Sequence, residues 1–236
     1  MTRGPEQPFP VWLHADARPD DFPAIERALA YPNGLLAFGG DLSGDRLLAA
    51  YRRGIFPWYV EGQPIQWWSP APRAVLYPDK LHLTRRLRRK LRQGRFRVTV
   101  NRVFAEVIDA CAAPAEGRES TWITPEMARA YLALHERGHA WSVESWCGDT
   151  LAGGVYGICL GRMFFGESMF TRVTDGSKVA IAGLCSLGFG VIDCQFPTPH
   201  LESLGAECIS RSQFKSHLGE LCMLRAPDAP NGLLEF

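Results

Sequence analysis

At 236 residues, with 46% apolar and 22% charged side chains and a net charge of +1, the chain has globular composition and can bury a sizeable core. No apolar run approaches the roughly 18 residues that span a bilayer, and the opening MTRGPEQPFPVW is too proline-rich for a signal peptide, so a cytoplasmic protein with no membrane partner is expected. Seven cysteines without a CxxC pair and six histidines without ligand spacing point to reduced, buried thiols and to no metal.

Residues 1–72 are rich in Pro, Gly and Trp and are expected to form a small N-terminal domain. PNGLLAFGGDLS holds an Asn-Gly turn, then Ser43 as the cap of a helix through Tyr51 that stops at Gly54. IFPWY and QWWSPAP follow, with three Trp among short strands and turns. Trp clusters usually build a core, but Trp58 follows Pro57 in a turn, where a large ring stays partly exposed.

Residues 73–236 read as a second, larger domain. Thr84 caps a short helix in which Leu83, Leu87 and Leu91 make an apolar seam and Gly94 supplies the stop. Arg95–Asn101 alternates as a strand, and Asn101 is expected to cap a helix carrying Val103, Phe104, Val107, Ile108 and Cys111. After the loop CAAPAEGRES and the short TWI, Thr124 and Pro125 open another helix that ends at Gly138. Three meander strands are expected at 140–147, 150–159 and 162–170. Asp175 or Ser177 then caps the nearly all-apolar helix VAIAGLCSLG, which has no polar face and must be buried. The strand GVIDCQF, a short helix HLESLG, a strand AECI and a helix opened by the capping box Ser210/Gln213 complete the order, and the tail APDAPNGLLEF reads as loop. The fold class this order predicts is α+β, a mixed central sheet with helices on both faces.

Two stretches carry polar groups where a core strand should be apolar. In GVIDCQF a period of two puts Asp193 and Gln195 on one face and Ile192, Cys194 and Phe196 on the other. In GRMFFGESMF strict alternation separates Glu167 from Phe164 and Ser168, but Gly166 sits where a bulge would re-aim Glu167. Buried acids are costly unless satisfied or used; backbone amides or an Arg would satisfy them, and catalysis would use them. Between Arg85 and Arg97 there are eight Lys or Arg and no acid. A solvated face usually mixes signs, so one-signed repulsion on a helix suggests an anionic partner such as a phosphate backbone.

The element order is similar to the GNAT-type acyltransferase fold, yet TRVTDGSKVA, where the buried helix begins, lacks the glycine-rich loop with which such enzymes hold the pyrophosphate of coenzyme A. No cofactor is therefore expected. PNGLLAFGGDLS, YRRGIFPWY, QWWSPAPRAVL, TWIT, YGICLGRMFFGESMF and DCQ, spread from about Tyr31 to Cys208, resemble the leucyl/phenylalanyl-tRNA–protein transferase family. The resemblance implies a GNAT-like domain that moves Leu or Phe, and sometimes Met, from aminoacyl-tRNA to proteins beginning with Arg or Lys, making a bacterial degradation signal. It implies Trp58 and Trp122 as rings that sandwich the 3′-terminal adenine, and Tyr51 and Tyr131, which the local pattern places in helix cores, as site-facing. Val155, Phe164, Ile181 and Leu184 are assigned to an apolar amino-acid pocket, although the same pattern fits plain core, with Ser168 a further site-lining candidate.

The reaction so implied is aminolysis of an ester. Asp193 is the candidate to accept a proton from the amine or to orient it, Gln195 to hold the geometry, and Glu167 to pair with the cationic side chain of the acceptor's first residue. Arg85, Arg86, Arg88, Arg89, Lys90 and Arg92 are assigned to tRNA phosphates. The chain departs from the family in FPTPH, where many members carry Asn near Thr198, in Val155, where some have Met, and in a segment from Lys178 to Asp193 about one turn short. The rival readings are a peptidoglycan-building aminoacyl transferase, which needs two such domains, a CoA-dependent acetyltransferase, and an RNA-binding module without catalysis, which leaves Asp193 and Gln195 unexplained.

Overall fold

A computed structural model describes residues 9–114 and 121–229. The readings made for residues 1–8, for the loop over 115–120 and for the end of the tail over 230–236 lie outside the described residues.

The first part of the chain contributes β1 (Val11–Leu13), β2 (Leu35–Gly39), α1 (Gly44–Arg52), β3 (Phe56–Pro57) and β4 (Gln66–Trp68). The strands form a four-stranded sheet in the order β1-β2-β4-β3. Ser43 caps α1 as expected, accepting from the Arg46 N–H. Arg46 is itself buried and donates to the carbonyls of Ala17 and Arg18 and to Asp41, which pins the loop before β2.

The second part runs β5 (Arg73–Leu76), α2 (Arg85–Arg92), β6 (Arg97–Val100), α3 (Phe104–Ala112), α4 (Pro125–Glu136), β7 (Ala140–Cys147), β8 (Thr150–Leu160) and β9 (Met163–Thr171). It closes with α5 (Gly176–Cys185), β10 (Val191–Gln195), α6 (Pro199–Ser203), β11 (Glu207–Ile209) and α7 (Arg211–Leu221). Seven strands form one mixed sheet in the order β11-β5-β10-β9-β8-β7-β6. Within this sheet only the β9–β10 pair is parallel, and α5 is the crossover that a parallel pair requires. The predicted α+β architecture and the three meander strands are thus found, with β5 added as a strand from the segment before α2. Among the described residues no helix is long and apolar enough to cross a membrane.

Two buried clusters cover the two faces of the sheet. One joins α3, α4 and α1 to Trp67 and Phe56 of the four-stranded sheet, so the first 72 residues share a core with one face of the larger sheet. The other packs the Leu87 and Leu91 seam of α2 and the apolar α5 against the opposite face.

Local corrections follow from competition for polar partners. Asn101 does not cap α3: it sits at φ +56 and its side chain accepts from the Ser142 N–H, while Val103 takes the N-cap position. Asp175 does occupy the N-cap position of α5, at φ +78, but its carboxylate pairs with Lys90 instead of the helix amides. The alternation expected for GVIDCQF holds for Ile192 and Cys194, which join the α5-side cluster, and for Asp193 and Gln195, whose partners belong to the opposite one; Phe196 departs from it and packs on the Asp193 side. A register shift between Asp193 and Gln195, with Gln195 at φ +63, sends the two side chains to different partners.

Candidate active site

Glu167 reaches its place through a bulge in β9. Tyr156 of β8 faces Ser168 and Gly157 faces Gly166, so Glu167 is the residue left over between two paired positions. Gly157 permits this, since a Cβ there would stand 2.0 Å from the Phe165 carbonyl oxygen. The bulge turns Glu167 toward α1 and α4, whose inward tyrosines meet it: Tyr51 Oη donates to Oε1 at 2.7 Å and Tyr131 Oη to Oε2 at 2.8 Å. Gln195 Nε2 donates to Oε1 at 2.9 Å.

The two tyrosine hydroxyls also lie 2.5 Å from each other. Each hydroxyl carries a single proton, so with an ionised Glu167 three oxygen contacts share two protons and the tyrosine pair has none between them. A protonated Glu167 supplies the third and closes the ring. Burial pushes the Glu167 carboxyl in the same direction, up to about 7, against the lowering effect of the tyrosine hydrogen bonds. This carboxyl therefore exchanges its proton near neutrality.

Asp193, wholly buried, is held differently. Arg73 of β5 donates to it through Nε and Nη2, both at 2.7 Å, in a bidentate pair. The Arg73 guanidinium also donates to the Gly54 carbonyl and lies between the Phe56 and Phe214 rings, 4.8 and 4.6 Å from their centroids. Asp193 Oδ1 accepts the Gln195 N–H at 2.9 Å. That bond holds Gln195 in the left-handed region, from which its amide reaches Glu167.

Two cavities meet this part of the chain, one lined by Gln195 and the other by Trp58, against which Phe196 packs. The larger, about 390 Å³, is walled by Trp58, Tyr59, Trp68, Thr121 and Trp122, and so brings together the two tryptophans proposed from sequence. Trp58 is 40% exposed and packs on Phe196, with ring centroids 5.6 Å apart. The smaller, about 90 Å³, is lined by Glu167, Ser168, Asp193, Gln195 and the apolar Val155, Ile181, Ile192 and Leu201. Phe164 and Leu184 do not line it; both are fully buried in the cluster beneath.

The cavity opens where two strands part. β9 and β10 pair at Val191 with Met163, Ile192 with Phe164 and Asp193 with Phe165, and beyond that both strands depart from regular register. Arg73, Phe196, Ile192 and Leu201 were not singled out from sequence. For Arg73 a signal exists in an arginine at the head of the apolar run RAVL.

On α2, Arg85, Arg86, Arg88, Arg89 and Arg92 are exposed, whereas Lys90 is half-buried against Asp175. At the start of α5 the Gly176 N–H goes to the Val173 carbonyl and the Ser177 N–H to Thr171 Oγ1. These amides are consumed within the fold and are not left for a pyrophosphate. Among the described residues no group of three His, Cys, Asp or Glu is placed to hold a metal ion.

Residues 75–219 match the family model described as leucyl/phenylalanyl-tRNA protein transferase, and residues 40–71 match that of its N-terminal domain. The chain is 57% identical over 231 residues to the leucyl/phenylalanyl-tRNA–protein transferase of Pseudomonas aeruginosa, covering 96% of this chain and 99% of that one. It is 61% identical over 207 residues to the protein of the same name from Aromatoleum aromaticum, covering 86% of each. A third so named, from Pseudomonas syringae, is 55% identical over 212 residues, 88% of this chain and 92% of that one.

Proposed function

The chain belongs to the leucyl/phenylalanyl-tRNA protein transferase family and is an aminoacyltransferase, and from that premise we propose a division of labour within its site. Leu, Phe or Met is moved from charged tRNA to proteins whose first residue is Arg or Lys, in the cytoplasm, marking them for degradation. The observation that carries this reading is a pair of unlike cavities reached from consecutive residues: Gln195 lines the small one, and Phe196 packs on Trp58 of the large one. One is open and indole-walled, suited to a stacked adenine; the other is small and largely apolar with Glu167 on its wall, suited to an aliphatic or aromatic side chain beside an amine.

In this proposal Trp58 and Trp122 hold the terminal base, while Val155, Ile181, Ile192 and Leu201 receive the side chain of the aminoacyl group. Phe164 and Leu184 support that wall from below. An incoming N-terminal amine, with a reference pKa of about 7.7–8.0, arrives largely protonated. Glu167, at about 7, is matched to attract that cation and take its first proton. The free amine attacks the ester carbonyl, a C–N bond forms, the C–O bond to the ribose breaks, and the second amine proton leaves on the ribose oxygen. Ser168 lines the small cavity, while the wholly buried Tyr51 and Tyr131 hold Glu167 from behind. Gln195 orients the amine, and Asp193, with both oxygens on Arg73, orients Gln195. Arg85, Arg86, Arg88, Arg89 and Arg92 take tRNA phosphates without regard to sequence.

The experiment is transfer of labelled Leu or Phe from charged tRNA to a peptide beginning with Arg, beside the same peptide beginning with Ala. Transfer to the first alone is expected. Equal transfer to both removes the acceptor assignment; transfer from a CoA thioester, or from neither donor, returns the rival readings.

A further inference from the structure

The exposed arginines do not end with α2. Gly94, at φ +65, turns the chain into the edge strand β6, and Arg95, Arg97 and Arg102 continue the run in exposed positions. Val98 and Val100 bury on the α2 side, so Arg97 and Thr99 take the opposite face of the sheet. There Arg97 stands opposite Trp146 of β7, and with Arg102 and Asp149 they line a cavity of about 220 Å³.

The indole is held in place from one edge. Trp146 Nε1 donates to Thr99 Oγ1 at 2.8 Å, and Thr99 Oγ1 donates in turn to the buried Glu144. Arg102 lies 5.9 Å from the ring centroid and has no acidic partner among the described residues. Arg97 donates to the Gly148 carbonyl at 2.7 Å and reaches Asp149 only at 3.5 Å, where the carboxylate is fully solvated. A half-exposed indole with its N–H already used, flanked by two guanidinium groups whose charge is barely neutralised, offers a stacking face between two phosphate-binding forks.

We propose that this cavity is a second RNA subsite, in which one unpaired base of the tRNA stacks on Trp146 while Arg97 and Arg102 hold the phosphates beside it. The inference rests on the tRNA-dependent reading above and extends it. β6 lies three strands from β9 and four from β10, about 15–20 Å at the spacing of neighbouring strands. This cavity shares no lining residue with the one at Trp58 and Trp122, so the nucleotide bound here is a different one, in the body of the tRNA. The ridge from α2 around β6 gives that body a continuous cationic track.

The test compares two donors, charged tRNA and 3′-O-phenylalanyl adenosine, which has the reactive ester but no RNA body. For Arg97→Gln/Arg102→Gln, KM for charged tRNA should rise roughly fivefold to fiftyfold, and the slope of log K against log salt should flatten by about 1.4–1.8 for two lost phosphates. Kinetics with phenylalanyl adenosine should match the wild type. Trp146→Leu should raise KM for tRNA alone, and Trp146→Phe should restore it. An unchanged KM and salt slope in the arginine variant overturns the subsite, as does an equal loss with both donors, which would place these residues in the fold alone. If the wild type takes neither donor, the tRNA-dependent reading fails first and the subsite falls with it.

Discussion

Removing the Arg73 charge should do more harm than removing both members of its ion pair. Arg73 and Asp193 are 1% and 0% exposed and share two hydrogen bonds of 2.7 Å. Arg73→Met leaves a carboxylate buried without a cation, which costs about 3–5 kcal/mol in such settings. Loss of the guanidinium from between the Phe56 and Phe214 rings adds about 0.5–2 kcal/mol. Arg73→Met/Asp193→Leu removes the desolvated charge along with its partner, and such apolar replacements are often neutral or better. A double-mutant cycle by urea unfolding, completed with Asp193→Leu, should therefore give a coupling energy of about 3 kcal/mol or more. Single effects that add to within about 0.5 kcal/mol would refute the account of the pair as one unit.

The same double variant separates stability from chemistry. Without Asp193 Oδ1 the Gln195 N–H loses its acceptor and Gln195 has no reason to remain at φ +63. The folded double variant should bind charged tRNA normally yet transfer about 100-fold more slowly in single turnover, as expected when a positioning group shifts by about an ångström. A wild-type single-turnover rate would remove Asp193 from any orienting role.

Four further outcomes are expected. Glu167→Gln should abolish a rise in kcat/KM through about pH 7 that the wild type shows as the carboxyl ionises; a limb that persists in the variant assigns it to another group. The same group makes wild-type stability fall as pH rises from 4.5 to about 7, because the folded state binds the proton more tightly; the loss is about 3 kcal/mol, level above that window and absent from Glu167→Gln. Trp58→Ala and Trp122→Ala should each cost about 1–3 kcal/mol in affinity for charged tRNA, with the free energy of unfolding changed by no more than about 1 kcal/mol; normal tRNA affinity would count against the stacking role. Ile181→Phe narrows a cavity of about 90 Å³ and should shift preference from Phe toward Leu by about tenfold in kcat/KM, an outcome that equal losses on both substrates would exclude.

Local signals in the sequence found their structures. Thr84, Thr124 and the Ser210/Gln213 box cap their helices, and Gly166 marks the bulge that frees Glu167. What the sequence hid is pairing over distance. Nothing near Arg73 says that its partner lies 120 residues on, or that β5 slots between β10 and β11. Asn101 and Asp175 looked like caps because capping chemistry is local, but Ser142 and Lys90, brought in by the fold, compete for those oxygens.

The pocket shows why composition alone cannot place a site. Val155, Ile181, Phe164 and Leu184 are alike in chemistry, and all sit on elements that surround the parted strands. Phe164 still belongs to the paired part of β9, opposite Ile192, with its ring packed on Phe189 at 5.3 Å. Only past Asp193 and Phe165, where β9 and β10 leave their register, is there space for anything but protein. Two irregularities on neighbouring parallel strands, at the same level, thus produce both the opening and the polar groups at its rim. The bulge in β9 turns Glu167 inward, and the left-handed Gln195 in β10 turns an amide to meet it. Straightening either strand would close the cavity and bury Glu167 without its partners, so the chemistry and the break in the sheet are one feature of this fold.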